Sequence, residues 1–307
     1  MLVKVLGSAA GGGFPQWNCA CPNCTDVRLG APGLKARSQS SLAVSADGVN
    51  WCLLNASPDL REQFAATPEL APRADGPLRN SPLKSVVLTN ADVDHVAGLL
   101  NLRELQPFTL YGTARVLGAV AANPIFNVLN AERVAREPIA SGARFEPAGC
   151  PGLSVELFGV AGKIALYLED PDAGPGFGSG EGDVAGLKIA DRETGRFICY
   201  VPGCAAVDEA LITRIEGASV LLFDGTLYAD DEMIALGLSH KTGRRMGHIS
   251  ISGEDGSIAA LARADIGRRI FVHLNNSNPV LREASSERRA VTAAGWEVAE
   301  DGMTIRI

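Results

Sequence analysis

Three cysteines fall within six residues, in the segment WNCACPNC, and they constrain the fold more than any other feature. Cys19, Cys21 and Cys24 form a CxCxxC cluster, so one short turn can present three thiolates to a soft metal ion. In a chain that shows no secretory leader, thiols stay reduced, so the cluster predicts a structural zinc site rather than a disulfide framework. Two buried cysteines beside an unrelated third one are the alternative.

The cluster supplies only three of the four ligands of a tetrahedral zinc ion. The fourth ligand must come from elsewhere in the chain, from a partner subunit or from water. The other cysteines show no pairing pattern and are expected to be buried free thiols. They are Cys52, Cys150, Cys199 and Cys204.

Composition excludes several classes of protein. The 307 residues are 46 % apolar and 21 % charged, which is enough for a sizeable core. The net charge of −7 argues against a nucleic-acid surface. No run approaches the ~20 apolar residues of a membrane span, and the first strand leads into glycines, unlike a signal peptide. We therefore expect a cytoplasmic protein that binds neither membrane nor nucleic acid.

Short apolar runs alternate with glycine-rich turns and helical patterns, without repeats or a linker. This pattern predicts a single domain over residues 1–307, built as a layered α/β sandwich. The glycine-rich segment 171–183 is predicted to be a flexible surface loop. Strands are predicted at 2–7, 40–46, 51–56, 85–89, 154–160, 164–170, 187–191, 196–201, 219–225, 269–274 and 296–307, and helices at 98–105, 115–129 and 255–265.

The segment TNADVDHVAGLL, residues 89–100, follows a predicted strand and precedes a helical pattern. Asn90, Asp92, Asp94 and His95 would then cluster at the carboxyl end of a strand, where α/β sheets place their sites. A simple helix start is the alternative, because Asn90 or Asp92 can cap a helix and acids favour its first turn.

Histidines elsewhere in the chain favour a metal site. His273 ends the predicted strand RIFVHL, and with His95 and an aspartate it would give the two-histidine, one-carboxylate set of ferrous sites. A lone strand histidine is more often a core residue, which is the alternative for His273. His248 lies in GHIS, and His240, in a polar loop, is not predicted to be functional.

These segments resemble the metallo-β-lactamase superfamily, whose HxHxDH motif follows a strand and leads into a helix. The resemblance implies a four-layer αβ/βα sandwich. More closely, the chain resembles the branch of the superfamily that acts in the biosynthesis of pyrroloquinoline quinone (PQQ), a redox cofactor made from a glutamate and a tyrosine of a short peptide. The matching blocks are 6–24, 53–61, 88–100, 107–113, 200–205, 221–226, 245–249 and 271–281.

The chain departs from the superfamily motif at its first metal position. Asn90 and Asp92 replace the first two histidines, and Cys204 replaces the bridging aspartate. A dinuclear hydrolase, in which two ions hold the attacking and leaving oxygens, is therefore disfavoured. The resemblance instead implies one ion, Fe²⁺ with Mn²⁺ or Zn²⁺ as alternatives. Its predicted ligands are Asp94, His95 and His273, with a further oxygen from Asp92 or Asp224.

Relatives leave two roles open for His248. It resembles the fourth zinc ligand of relatives that carry the cysteine cluster, and it resembles a proton-relay histidine of tRNA-processing relatives. The zinc role is preferred because Cys₃His completes a tetrahedron. The segment GSAAGGGFP lacks the GK[ST] ending of a phosphate loop, so its glycines are predicted to turn the backbone beside the site.

The resemblance implies a role in PQQ biosynthesis with three possible activities. The first is an iron-dependent oxygenase that hydroxylates the tyrosine ring of a precursor derived from glutamate and tyrosine. The second is a carrier or transport accessory that holds PQQ or its precursor for export. A metal-dependent hydrolase is the least favoured. Relatives with the cysteine cluster look dimeric, so a homodimer is expected.

Overall fold

Two mixed β-sheets lie face to face in the computed structural model, which describes residues 1–174 and 176–307. The strands are β1 Leu2–Gly7, β2 Ser41–Ser45, β3 Trp51–Leu54, β4 Leu83–Val87, β5 Phe108–Gly112, β6 Val134–Pro138, β7 Arg144–Phe145, β8 Leu153–Gly159, β9 Ala185–Asp191, β10 Phe197–Val201, β11 Val220–Asp224, β12 Arg268–Val272, β13 Trp296–Val298 and β14 Thr304–Arg306. Within the described residues the sheet orders are β14-β1-β2-β3-β4-β5-β6 and β13-β12-β11-β10-β9-β8-β7. Strands β3 to β6 run parallel, as do β10 to β13.

Helices cover the outer face of both sheets. Side chains such as Val5, Leu42, Leu187 and Leu222 fill the space between the sheets, and separate apolar clusters lie under the helices on each side. The arrangement is the predicted four-layer αβ/βα sandwich, which is confirmed. The helices are α1 Pro22–Arg28, α2 Leu60–Ala65, α3 Val93–Val96, α4 Ala114–Ala122, α5 Glu209–Ile215, α6 Glu232–Ala235, α7 Ser257–Ala260 and α8 Ser286–Ala293.

Most predicted strands lie within two residues of observed ones, but the strand predicted at 164–170 is wrong. This segment contains a 3₁₀ turn at Leu166–Leu168. Leu166 and Tyr167 are exposed, Ala165 is buried, and the Tyr167 hydroxyl donates to the Ala91 carbonyl at 3.0 Å. The segment packs over the loop after β4 instead of joining a sheet, and its Leu166 lines a cavity.

The strand predicted at 296–307 is divided between the two sheets. It forms β13 and β14, which are separated by a turn at Gly302 with φ of +83°. At this turn the Asp301 carboxylate accepts hydrogen bonds from the backbone N–H groups of Ser8 and Ser38. The chain therefore crosses from one sheet to the other where a single strand was expected.

The predicted helices are shorter than expected. The pattern at 115–129 breaks at Asn123, because Pro124 starts a separate 3₁₀ turn that ends at Val128. Residues 98–105 form a 3₁₀ turn at Ala97–Leu102, and only Ser257–Ala260 is α-helical in 255–265. The other 3₁₀ turns are Pro68–Leu70, Arg244–Met246 and Pro279–Leu281.

The predicted loop 171–183 includes residue 175, which lies outside the described residues. Its described residues form turns and bends. Along the part of the chain that the structure describes, no helix combines the length and hydropathy needed to cross a bilayer.

Candidate metal centre

The candidate centre lies where strand ends from both sheets meet. The parallel strands β11 and β12 end at Asp224 and just before His273, and the short helix α3, which follows β4, carries Asp94 and His95. Carboxyl ends of neighbouring parallel strands are the usual place for sites in α/β sheets. The ligand atoms of Asp94, His95 and His273 lie within 4.8 Å of one another, so the structure brings these three predicted ligands together.

His95 has one ring nitrogen fixed and the other free. Its Nδ1 lies 2.7 Å from the Asn90 side-chain oxygen, which can only accept, so Nδ1 carries the proton. Its Nε2 is buried without a hydrogen-bond partner among the described residues and lies 4.0 Å from Asp94 Oδ2. Burial lowers the pKa of His95 to about 4, which keeps the ring neutral near pH 7. A neutral imidazole with an unpaired buried lone pair fits a metal ion.

His273 is held from both sides. Its Nδ1 lies 2.8 Å from the Thr226 hydroxyl, and its Nε2 lies 3.0 Å from Asp94 Oδ2. Its backbone has a φ of +57°, a left-handed conformation that is strained for a residue with a side chain. Burial alone would raise the pKa of Asp94, but His95 and the hydrogen bond to His273 hold it below its usual value. The carboxylate therefore stays charged and available to a cation.

His248 joins the same centre, and its predicted role as the fourth zinc ligand of the cysteine cluster is wrong. Its Nδ1 lies 2.7 Å from Asp224 Oδ2 and 3.1 Å from the Thr226 hydroxyl, and its ring stacks on His273. The backbone hydrogen bond from Ile249 to the Cys204 carbonyl fixes the GHIS segment beside the end of β10. A second group of possible ligands therefore comprises Asp224, His248 and His273.

Asp224 is completely buried and fully hydrogen-bonded. Its carboxylate accepts from the backbone N–H groups of Cys204 and Thr226 and from the Thr226 hydroxyl, besides its contact with His248. Burial would raise the pKa of Asp224, but the charge and hydrogen bond of His248 lower it. Conversely, burial would lower the pKa of His248, and Asp224 raises it above its usual value. The pair is thus positioned to keep a proton on His248.

A cavity of about 350 Å³ opens over these groups. Asp92, the residue before α3, lines it, and burial together with the Asp94 charge raises the pKa of Asp92. Two lysines, Lys163 and Lys241, also line the cavity. The space therefore combines acidic metal-binding groups with nearby cations at its wall.

Glycines bring the amino-terminal segment close to the centre, as predicted. Gly12 and Gly13 have positive φ values, and a Cβ at Gly11 would lie 3.4 Å from the Asp94 carboxylate. The backbone can therefore pass the site tightly and continue into the cysteine cluster.

The cysteine cluster forms a separate group. Cys19, Cys21 and Cys24 are buried, and their sulfurs lie within 4.8 Å of one another. Cys21 caps α1, because its sulfur accepts from the Cys24 backbone N–H. Burial raises the pKa of Cys24 to about 11, and the neighbouring Cys21 charge adds to this effect. Three crowded buried sulfurs are costly to ionise together unless a cation is bound, so the donor set fits zinc.

Comparison with known proteins identifies the family. A sequence model of the beta-lactamase superfamily domain matches residues 50–274. Coenzyme PQQ synthesis protein B of Methylobacterium sp. strain 4-46 is 55 % identical over 307 residues, which cover all of both chains. The chain belongs to the coenzyme PQQ synthesis protein B family. Its place in PQQ biosynthesis follows from this membership.

Solved structures agree with this assignment. The crystal structure of Zn²⁺-bound PqqB from Methylobacterium extorquens superposes with a TM-score of 0.95, at 53 % identity and with full coverage of both chains. A diphosphatase of the PhnP family superposes with a TM-score of 0.71 over 100 % of this chain and 97 % of its own, at 18 % identity. The second similarity shows the fold alone.

The geometry explains two departures of this PqqB-family chain from the superfamily motif. Asn90, in place of a histidine, orients His95 instead of binding metal. The Cys204 sulfur contacts the Ala206 carbonyl at 3.1 Å, and burial raises its pKa, so it is a buried thiol rather than a bridging ligand.

Sequence reasoning missed two residues of this PqqB-family chain that contact the metal-binding groups. Thr226 bridges Asp224, His248 and His273, and Asn276 faces the cysteine sulfurs. Thr226 lies two residues after Asp224 and Asn276 three after His273, so a search of the residues next to predicted ligands would have found both.

Proposed function

We propose that this chain is an iron-dependent oxygenase that hydroxylates the tyrosine ring of a PQQ precursor derived from glutamate and tyrosine. The observation that carries the proposal is the convergence of one carboxylate and two imidazoles, including the unpaired buried Nε2 of His95, below an open cavity. Two imidazoles and a carboxylate on one face are the donor set of non-haem ferrous oxygenases, and they leave positions for dioxygen and substrate.

The reaction requires an external reductant. A ring C–H bond is replaced by C–OH, one atom of dioxygen enters the ring, and the other leaves as water after taking up two electrons and two protons. A small organic reductant such as ascorbate supplies these electrons. A ferrous ion held by Asp94, His95 and His273 would supply the one-electron chemistry that activates dioxygen.

The protein's own groups orient the ligands and move protons. Asn90 and Thr226 each accept from an imidazole Nδ1–H and so direct the Nε2 of His95 and His273 to Asp94. Such supporting hydrogen bonds fix the tautomer and orientation of ligating histidines. His248, whose Nδ1 contacts Asp224, can present a proton at Nε2 to a reacting oxygen.

The cavity wall suits an aromatic acid. Leu166, Met233 and Met246 offer apolar and sulfur contacts to a ring, and Lys163 and Lys241 offer cations for carboxylates. Lys163 is 3.2 Å from Glu169, whereas Lys241 has no ion-pair partner within the described residues. Lys241 is therefore the cation available to a substrate carboxylate.

Mass spectrometry of a tyrosine-containing PQQ precursor tests the proposal. The protein is reconstituted with Fe²⁺ and incubated with the precursor and ascorbate, with and without isotopically labelled dioxygen. We expect one oxygen atom from dioxygen to enter the ring, and we expect His273→Ala to lose this activity. The matched control is His240→Ala, which removes an exposed histidine outside the centre.

Hydroxylation that persists in His273→Ala, or that proceeds with redox-inert Zn²⁺, would refute the oxygenase proposal. A precursor that is retained tightly but unchanged would instead support the carrier function. Hydrolysis of the precursor would support the ancestral metal-dependent reaction.

We also propose a structural Zn²⁺ at Cys19, Cys21 and Cys24, and a homodimer that forms near it. Trp17 is 86 % exposed and Leu29 is 78 % exposed, and both flank the cysteine cluster. Large exposed apolar side chains suit a protein contact. Light scattering of the purified protein should give twice the mass of one chain, and Trp17→Ser should shift it toward the monomer. A wild-type protein that is monomeric at micromolar concentration would refute the dimer.

A further inference from the structure

The three cysteine sulfurs share one polar neighbour, the side-chain amide of Asn276. The amide nitrogen lies 3.2 Å from Cys19 Sγ, 3.6 Å from Cys21 Sγ and 3.4 Å from Cys24 Sγ. Asn276 is only 4 % exposed. Its position above all three sulfurs is that of the apex of a tetrahedron whose base is the cysteine cluster.

The distances agree with a metal-bound amide. With Zn–S near 2.3 Å and Zn–O near 2.1 Å, a tetrahedral ion separates sulfur from oxygen by about 3.6 Å. The two terminal atoms of an asparagine amide exchange places by a half-turn about the Cβ–Cγ bond, which brings Oδ1 to the sulfurs. Among the Cys, His, Asp and Glu side chains of the described residues, only the three cysteines belong to this group.

We infer that Asn276 Oδ1 is the fourth ligand of the zinc ion at Cys19, Cys21 and Cys24, and that this ion supports the position of His273. The first half rests on the proposed zinc site, and neither half rests on the proposed oxygenase reaction. Asn276 takes the place that was predicted for His248.

The second half follows from the chain between the two centres. Asn276 lies three residues after His273, and Asn23, in the helix that contains Cys24, holds the segment that begins at Asn276. The Asn23 side chain donates to the carbonyl oxygens of residues 276, 277 and 278 at 3.1, 3.2 and 3.0 Å. On the other side, the Leu274 N–H donates to the Ser8 carbonyl, and the Leu274 carbonyl accepts from Ala10.

His273 needs such support because its left-handed backbone is strained and persists only where its surroundings fix it. An ion that binds both the cysteine cluster and Asn276 would add a further contact that fixes this segment. Loss of the ion would release the segment and weaken metal binding by His273.

The test of the fourth ligand compares Asn276→Ala and Asn276→Asp with the control Asn18→Ala, which removes an exposed asparagine beside Cys19. Cobalt(II) replaces zinc, and the thiolate-to-cobalt charge-transfer band reports this centre selectively. We expect Asn276→Ala to lower zinc affinity, measured by competition with a chromophoric chelator, by about tenfold or more. Asn18→Ala should leave it unchanged.

Asn276→Asp separates ligation from hydrogen bonding. If Oδ1 binds the ion, the carboxylate keeps the four-coordinate cobalt spectrum and the affinity. If Asn276 only donates N–H groups to thiolates, the carboxylate repels them and the affinity falls. A fall with Asn276→Asp, or unchanged affinity with Asn276→Ala, would overturn the assignment.

The coupling is measured at the other centre by the paramagnetic resonance of bound Mn²⁺. We expect Mn²⁺ affinity to fall about tenfold in Asn276→Ala, the size of effect that residues just outside the ligands exert. Asn18→Ala again serves as the control. Unchanged Mn²⁺ affinity in an Asn276→Ala protein that has lost its zinc would refute the coupling, whatever the outcome of the hydroxylation assay.

Discussion

Replacing Thr226 with valine should destabilise the protein, because one buried hydroxyl bridges three groups of the metal centre. Thr226 is 5 % exposed, and its Oγ1 lies 2.7 Å from Asp224 Oδ1 and 2.8 Å from His273 Nδ1. Valine has nearly the same shape but can neither donate nor accept. The imidazole N–H of His273 would then be buried without a partner.

The magnitude follows from these two hydrogen bonds. A hydrogen bond to a charged carboxylate contributes about 1.5–3 kcal/mol, and a neutral one about 0.5–1.5 kcal/mol. Thr226→Val should therefore lower the free energy of unfolding by about 2–4.5 kcal/mol. The control is Thr226→Ser, which keeps the hydroxyl and loses a methyl group worth about 0.8 kcal/mol.

Urea denaturation followed by circular dichroism measures both variants at the same zinc concentration. Thr226→Val should unfold at a lower urea concentration than Thr226→Ser, with an unchanged slope. It should also bind the active-site metal about 10–100 times more weakly, because His273 loses the group that fixes its orientation. A free energy of unfolding within about 0.5 kcal/mol of the serine variant would refute this account of the hydroxyl.

Other predictions concern each centre separately. His95→Ala or His273→Ala should remove the active-site metal, measured by elemental analysis, while zinc at the cysteines remains; unchanged metal content in both variants would contradict the ligand assignment. Cys21→Ser should lower the thermal midpoint or disrupt the dimer, because structural zinc contributes folding energy directly, and a stable, normally assembled variant would exclude that role. Glu169 contacts Arg245 and Lys163, and these cations lower its pKa to about 2 although burial opposes them. Because its folded pKa lies below the unfolded value, the stabilisation is present above pH 4.5 and is lost as the pH falls through about 2. The protection of residues 163–169 against hydrogen exchange should decrease in the wild type as the pH falls over that range. In Glu169→Gln the protection should be low throughout and should not change.

The sequence predicted the strands that carry the centre because their apolar runs are continuous. The segment RIFVHL became β12 followed by His273, and SVLLFDG became β11 ending at Asp224. Parallel strands that are buried on both faces have such continuous apolar sequences, and their carboxyl ends lie together at one edge of the sheet. Asp94, His95 and His273 were predicted as a set for this reason and for their resemblance to the superfamily.

The position of His248 could not be predicted in the same way. Between Asp224 and His248 the chain runs through a turn, α6 and a 3₁₀ turn, none of which shows an apolar period that fixes its direction. The backbone of His248 bonds to Gly243 and that of Ile249 to Cys204, so tertiary contacts alone place the ring. The same holds for 164–170, where an apolar run suggested a strand and the structure instead forms a 3₁₀ turn whose Leu166 lines the cavity.

Asn90 shows why the loss of motif histidines does not imply the loss of the centre. A histidine at this position would compete for metal, whereas the shorter asparagine reaches His95 Nδ1 at 2.7 Å and leaves Nε2 as a free ligand. Thr226 contacts the Nδ1 of His273 in the same way, which leaves the Nε2 of His273 directed at Asp94 Oδ2, 3.0 Å away. The second set of donors, Asp224 and His248, is already paired through a 2.7 Å contact, so an ion there must compete with an existing hydrogen bond. In the set of Asp94, His95 and His273 the corresponding contact, between His273 Nε2 and Asp94 Oδ2, is longer at 3.0 Å, and His95 Nε2 has no hydrogen-bond partner among the described residues, so the polar contacts favour a single ion bound by these three groups.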